Sequence, residues 1–268
     1  MLLILRQLLT IAVIGTITSC ASGPYAASNK AYKKQTRELT KTIREIPVNP
    51  TGQEFVGTTN FGLRKPNYVI IHHTAQNSTE QTLKTFTIPK TQVSAHYVIG
   101  KNGVVYHMLS DYLRAWHGGV AKWGNATDIN SSSIGIELDN NGFEPFAQPQ
   151  ISSLLSVLAS LKKTHAIPAA NFIGHSDIAP GRKVDPNVNF PWKTLADNGY
   201  GLWPDSVLVD SVPETFNPID ALRIIGYDVM NPENAIKSFQ LHFVQKDISG
   251  ILNEEDKKIL YNLYKKYL

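Results

Sequence analysis

Apolar and polar positions alternate along the chain with changing period, and each pattern predicts a different element. Asn67-Tyr-Val-Ile-Ile-His72 is a short β-branched run bounded by Pro66, which suits a buried strand. Glu80 to Thr87 has helical spacing and is stopped by Pro89. His96 to Gly100 and Val104 to Leu109 flank Lys101-Asn-Gly103, a hairpin signal. Ser133 to Leu138 and Asn171 to Gly174 read as two further strands. Between them, Gln150 to His165 carries Ile151, Leu154, Leu155, Val157, Leu158 and Leu161 at helical spacing and ends before Pro168. Strands interrupted by helices predict an α/β fold: a mixed central sheet flanked by helices.

The remaining patterns divide the chain. Residues 61–205 hold the α/β unit. After the turn-rich stretch Asn198 to Pro213, residues 206–268 show three short helical patterns: Asp220 to Ile225, Pro232 to Phe243 and Asn253 to Leu268. They are expected to form a small three-helix C-terminal domain. Residues 20–60 are polar, rich in Lys, Thr, Ser and Asn, and read as a tether with a short basic helix around Asn29 to Arg44. Residues 1–19 carry one Arg, no acid and an apolar stretch from Leu8 to Ile17 too short for a span of about 20 residues, so a signal peptide is the better reading.

Composition narrows the class. Hydrophobic residues make up 42% of the 268 and charged residues 18%, which excludes a disordered chain. The formal charge of +4 is a mild basic bias, and without a long Lys/Arg run or basic-aromatic interleaving no nucleic-acid partner is expected. Cys20 is the one cysteine, preceded by Ile17-Thr-Ser19 and followed by Ala21. That ending resembles a bacterial lipobox. The resemblance implies lipidation of Cys20 and a lipid anchor in the cell envelope, facing the periplasm from the outer membrane. The alternative is an ordinary signal peptide or uncleaved anchor with an incidental cysteine. With Cys20 lipidated, no thiol remains for catalysis or a disulfide.

Candidate chemistry gathers at the ends of the predicted elements. His72 ends the first strand, His175 follows Phe172-Ile-Gly174, and Asp185 lies in the loop Gly181-Arg-Lys-Val-Asp-Pro186. Two imidazoles and a carboxylate are a usual hydrolytic zinc set, leaving one position for water. Spacings of 103 and 10 residues form no local metal motif, so residue type alone leaves a zinc site as one option among several. The order of short motifs carries more. Val69-Ile-Ile-His72-His-Thr-Ala75, Ser94-Ala-His-Tyr97, Ala115-Trp-His-Gly118, Ser133-Ile-Gly-Ile-Glu-Leu138, Gly174-His-Ser-Asp177 and Arg182-Lys-Val-Asp-Pro186 follow one another as in zinc N-acetylmuramoyl-L-alanine amidases of the AmpD/AmiD type, which the stretch Asn67 to Trp192 resembles.

The resemblance implies one Zn2+ held by His72, His175 and Asp185, with His73 turned to the other side of its strand as core or support. It implies Glu137 as the group that moves the proton and Lys183 as cationic partner of the developing oxyanion. A structural Glu paired with an Arg and a solvated surface lysine are the plain alternatives. Trp116 and His117 resemble the substrate-side wall of the groove, although core packing would explain Trp116 equally. Arg114 and Arg182 are candidates for gripping stem-peptide carboxylates. The implied activity is hydrolysis of the amide between N-acetylmuramic acid and L-alanine in peptidoglycan or muropeptides. A zinc peptidase acting within the stem and a non-catalytic wall-binding lipoprotein are the rivals. The C-terminal helices are similar to small peptidoglycan-binding domains, with His242 read as a helix-surface or packed residue. A monomer is the expected state.

Overall fold

The computed structural model describes residues 23–44, 60 and 62–268. The signal peptide, Cys20 and residues 45–59 of the tether lie outside the described residues. Residues 1–59 and 60–268 form two units. In the first, helix α1 (Ala26–Arg44) has no buried residue and ends on Lys41 and Arg44. Among the described residues no helix is long and apolar enough to cross a membrane.

The second unit is built on a five-stranded sheet with strand order β3-β2-β4-β1-β5. Strands β1 (Tyr68–His73), β2 (Tyr97–Ile99), β4 (Ser133–Leu138) and β5 (Phe172–Gly174) are the inner strands and one edge, and β3 (Val105–His107) is the other edge. β1 runs parallel to β4 and β5, and β2 parallel to β4; β3 pairs antiparallel with β2, so the sheet is mixed. The β2–β3 turn uses a Gly103 amide to Gly100 carbonyl bond of 2.9 Å and places Gly103 at φ 83°, the left-handed conformation that glycine adopts without penalty.

Alternation along β1 and β4 sorts the two faces. Val69, Ile71, Ile134, Ile136 and Leu138 pack on Leu154, Leu158 and Leu161 of α4 (Gln148–His165). That helix starts two residues earlier than its apolar spacing predicts, because Pro149 is tolerated in a first turn. The opposite face presents Ile70 of β1 and Ile173 of β5 to a second cluster. Helix α2 (Thr79–Thr87) follows β1, and three short helices escape detection by periodicity: Ile129 of α3 (Ile129–Ser132) and Ile178 of α5 (His175–Ile178) join this second cluster, whereas Trp192 and Leu195 of α6 (Trp192–Asp197) pack in the first.

The C-terminal helices α7 (Pro218–Ile225), α8 (Pro232–Phe239) and α9 (Glu254–Tyr267) are each capped by an asparagine, Asn217, Asn231 and Asn253. α8 continues as one wider turn over Gln240–Val244. Their apolar faces do not close on themselves alone. Leu222, Ile225, Phe239, Leu260 and Leu263 share one cluster with Ile70, Trp123, Ile173 and Ile178 of the α/β part. The architecture is thus a mixed sheet flanked by helices with a C-terminal helical extension laid on it.

Candidate active site

The site forms where parallel strands end. His72 pairs in register with Glu137, and both lie on the face that carries Ile70, since Ile71 and Ile136 face α4. His175 follows β5 immediately as the first residue of α5, and the amide of Ser176 donates to the Asp185 carbonyl at 2.8 Å, folding the loop that carries Asp185 back onto that helix. These constraints bring together three side chains far apart in sequence. His72 Nδ1 lies 2.9 Å from His175 Nδ1 and 3.2 Å from Asp185 Oδ2, and His175 Nδ1 lies 3.0 Å from Asp185 Oδ2. His72, His175 and Asp185 are all buried.

This donor set fits zinc. Among the described residues it is the one group of three metal-ligating side chains whose donor atoms all lie within 4.8 Å. Tetrahedral ligation with Zn–N and Zn–O bonds near 2.0–2.1 Å separates donors by about 3.3 Å, close to the spacing here. Burial also suits the role. It pushes His72 down to about 4, with His175 adding to the effect and Asp185 opposing it, so the ring is neutral near pH 7 and offers a lone pair. For Asp185, burial works against ionisation, but the two imidazoles outweigh it and hold the carboxyl below its usual range.

The surrounding groups are held in turn. His72 Nε2 is 3.0 Å from His117 Nδ1, and His117 Nε2 is 3.1 Å from Ser133 Oγ. His175 Nε2 donates to the Gly118 carbonyl at 3.1 Å. The amides of His117 and Gly118 both donate to Asn130 Oδ1, at 3.1 and 2.8 Å. His73 points to the other face and accepts from the Asn187 amide at 3.1 Å, steadying the chain just after Asp185.

Glu137 sits beside the metal ligands with its Oε2 sealed from solvent and without a hydrogen-bond partner. Burial, reinforced by the negative charge of Asp185 and opposed by Lys183, raises its carboxyl to about 8. Among the described residues no arginine pairs with it, so the alternative of a structural Glu–Arg pair finds no support here. Lys183 lines the adjoining cavity of about 570 Å³, together with Trp116, His117, Arg114, Arg182 and His175. Trp116 is half exposed there, so it is a cavity wall rather than core. The two arginines are partly committed. Arg114 bonds Asp128 Oδ1 and Ser131 Oγ, each at 2.9 Å, and Arg182 Nη2 bonds the Gly118 and Val120 carbonyls, each at 2.7 Å.

Two sets of residues near the site were not legible as functional from sequence. Ser133 and Gly135 lie on the face of β4 that carries Glu137, and a Cβ at Gly135 would collide with the His117 ring, so glycine there makes room for the imidazole. A period-two reading of Ser133-Ile-Gly-Ile-Glu137 would have grouped them. The second set is Asp177, Tyr227 and His242. Asp177 is fully buried two residues after His175, and accepts from Tyr227 Oη at 2.8 Å, from the Gly174 amide at 2.7 Å and from His242 Nδ1 at 2.7 Å. His242 is therefore a packed, hydrogen-bonded residue and not a helix-surface one.

Comparison with known proteins agrees with this geometry. The family model described as N-acetylmuramoyl-L-alanine amidase matches residues 62–188. The chain is 34% identical over 232 residues to the N-acetylmuramoyl-L-alanine amidase AmiD of Escherichia coli K12, covering 74% of this chain and 82% of that protein. The solved complex of E. coli AmiD with anhydro-N-acetylmuramic acid-L-Ala-D-gamma-Glu-L-Lys superposes with a TM-score of 0.69 at 30% identity, over 82% of this chain and 97% of the other. AmpDh3 of Pseudomonas aeruginosa, solved with anhydromuramic pentapeptide, gives 0.70 at 28% identity, over 83% and 99%. With a buried two-histidine, one-aspartate centre beside an unpaired glutamate, and with this extent of identity to AmiD, the chain belongs to the N-acetylmuramoyl-L-alanine amidase family.

Proposed function

We infer that this protein hydrolyses the amide bond between N-acetylmuramic acid and L-alanine in peptidoglycan or muropeptides, with water activated at one zinc ion held by His72, His175 and Asp185. The observation that carries the reading is the convergence of three buried donor atoms within 4.8 Å in a chain of this family. Bound there, zinc supplies Lewis acidity, making water acidic enough to lose a proton near neutral pH and polarising a carbonyl oxygen.

The chain's own residues supply the rest. Glu137, unpaired and next to His72 across the strand pair, is the group that takes a proton from the attacking water and returns it to the leaving amide nitrogen. Lys183 faces the same cavity and stabilises the negative charge that develops on the carbonyl oxygen. Trp116 offers an apolar platform with one donor for the sugar or stem. Arg114 and Arg182 line the cavity as candidates for stem carboxylates through the donors that Asp128 and the loop carbonyls leave free, and His117 completes the wall. No side chain needs to form a covalent acyl intermediate.

Organisation follows the same logic. Residues 61–205 form the catalytic part, and residues 206–268 form a helical part that supports it and offers a surface to the wall polymer. The basic helix α1 and the run before it fit an exported enzyme tethered in the cell envelope through a lipid on Cys20, facing the periplasm, with no partner subunit required. Defined muropeptides incubated with the protein test the activity, with products separated by chromatography and identified by mass. Intact stem peptides beginning with L-alanine are expected, and their release stops on chelation and returns with one equivalent of zinc. Shortened stems would replace this reading with a stem peptidase. Wall binding with no product would replace it with a non-catalytic binder.

A further inference from the structure

The two metal imidazoles are both held by one tetrapeptide, Ala115-Trp-His-Gly118: His72 by the His117 ring and His175 by the Gly118 carbonyl. Proton positions along these contacts can be deduced one by one. The Ile129 carbonyl can only accept, so Ser133 Oγ, 2.6 Å away, donates to it. Ser133 therefore has only lone pairs for His117 Nε2, 3.1 Å away, and that nitrogen carries a proton. The neutral His117 ring then has a bare Nδ1, which accepts from His72 Nε2 at 3.0 Å. His72 is left with its lone pair on Nδ1, the atom that faces His175 and Asp185.

The second imidazole is fixed from the same loop. The Gly118 carbonyl accepts from His175 Nε2, leaving His175 Nδ1 bare and facing the same point. That carbonyl is aimed by the buried Asn130, whose Oδ1 receives the amides of both His117 and Gly118. Gly135 leaves the space that the His117 ring fills.

We propose that His117, backed by Ser133, and Asn130, through the Gly118 carbonyl, are positioning residues that lock both metal imidazoles in the tautomer presenting Nδ1 to the metal. The inference rests on the zinc reading of the site and assigns His117 a task beyond lining the groove. Groups that orient a metal-bound imidazole are worth about 10-fold to 100-fold in metal affinity or activity.

Zinc dissociation constants, measured by competition with a chromophoric chelator on the full chain, test it alongside the absorption spectrum of the cobalt-substituted protein. His117→Ala is expected to weaken zinc about 10-fold to 100-fold and to alter the cobalt bands. His117→Asn, which can place an acceptor oxygen where Nδ1 lies, recovers most of the loss. Ser133→Ala and Asn130→Ala, small truncations that keep the variants comparable if His117→Ala does not fold, shift zinc affinity in the same direction by less. Wild-type zinc affinity and unchanged cobalt spectra in His117→Ala and Ser133→Ala would overturn the proposal, and a raised KM alone would return His117 to substrate contact. Wild-type protein that bound no zinc would remove the metal-centre reading and this inference with it, whereas zinc binding with unaltered variants would remove only the inference.

Discussion

His72 Nδ1 and His175 Nδ1 lie 2.9 Å apart although the residues are 103 positions apart in sequence, and Asp185 Oδ2 completes the triangle. Three buried acceptors facing one point are mutually unfavourable without a cation between them. Chelation is therefore expected to lower the melting temperature, and zinc at a hundred times its dissociation constant to add about 2.7 kcal/mol to unfolding stability. His175→Ala should abolish the zinc-dependent part of that shift. Calorimetry with and without chelator checks this, and an identical melting temperature in both conditions would count against the site.

Glu137 makes the metal-free protein sensitive to pH. Its folded pKa is raised to about 8, above the ordinary 4.5, so between those values the folded state binds more protons than the unfolded one. The contribution of this residue to stability thus falls as pH rises from about 5 to 8. His72, lowered to about 4, acts in the other direction, reducing stability as pH falls below 6.5. Glu137→Gln should remove the first effect and leave the second, as read from urea midpoints of chelated wild type and variant at pH 5, 6.5 and 8. The same variant should lose about 10²-fold to 10⁴-fold in kcat while retaining zinc.

Lys183 has a narrower role. It lines the cavity and its charge reaches both Glu137 and His72. Lys183→Met is expected to lower kcat by about 10²-fold to 10³-fold with small change in KM, because an oxyanion partner acts mainly in the transition state. Steady-state kinetics on a defined muropeptide separate the two parameters. A large rise in KM with kcat preserved would make Lys183 a ground-state substrate contact.

Asp177 ties the C-terminal helices to the metal centre. It is fully buried, and Tyr227 and His242 hold it from a part of the chain fifty or more residues away. Tyr227→Phe leaves the buried carboxylate with one donor fewer and should cost about 1.5–3 kcal/mol of stability. Chemical denaturation measures this, and a change under about 0.5 kcal/mol would show that the contact is dispensable.

These relationships mark how much the sequence disclosed. The β-branched run ending at His72 and the apolar spacing of α4 locate the sheet and one of its covering helices because both obey a local period. The C-terminal helices are legible for the same reason, and their asparagine caps mark each start. The metal set is different. His72, His175 and Asp185 become a group only through strand order and a folded-back loop, so family resemblance, not spacing, pointed to them. The part played by His117 in holding His72 lies deeper still. It depends on Ser133 and Gly135 facing the same way along β4 and on the unannounced short helix α3. Helices of four to six residues such as α3, α5 and α6 are shorter than the window over which periodicity can be read.

The most direct measurement is hydrolysis of an N-acetylmuramoyl tripeptide in water enriched in 18O, with both fragments weighed. The mechanism places one 18O in the lactyl carboxylate of the muramic acid fragment and none in a peptide that begins with a free L-alanine amine. Incorporation into a peptide carboxylate, with L-alanine still attached to the sugar, would contradict it.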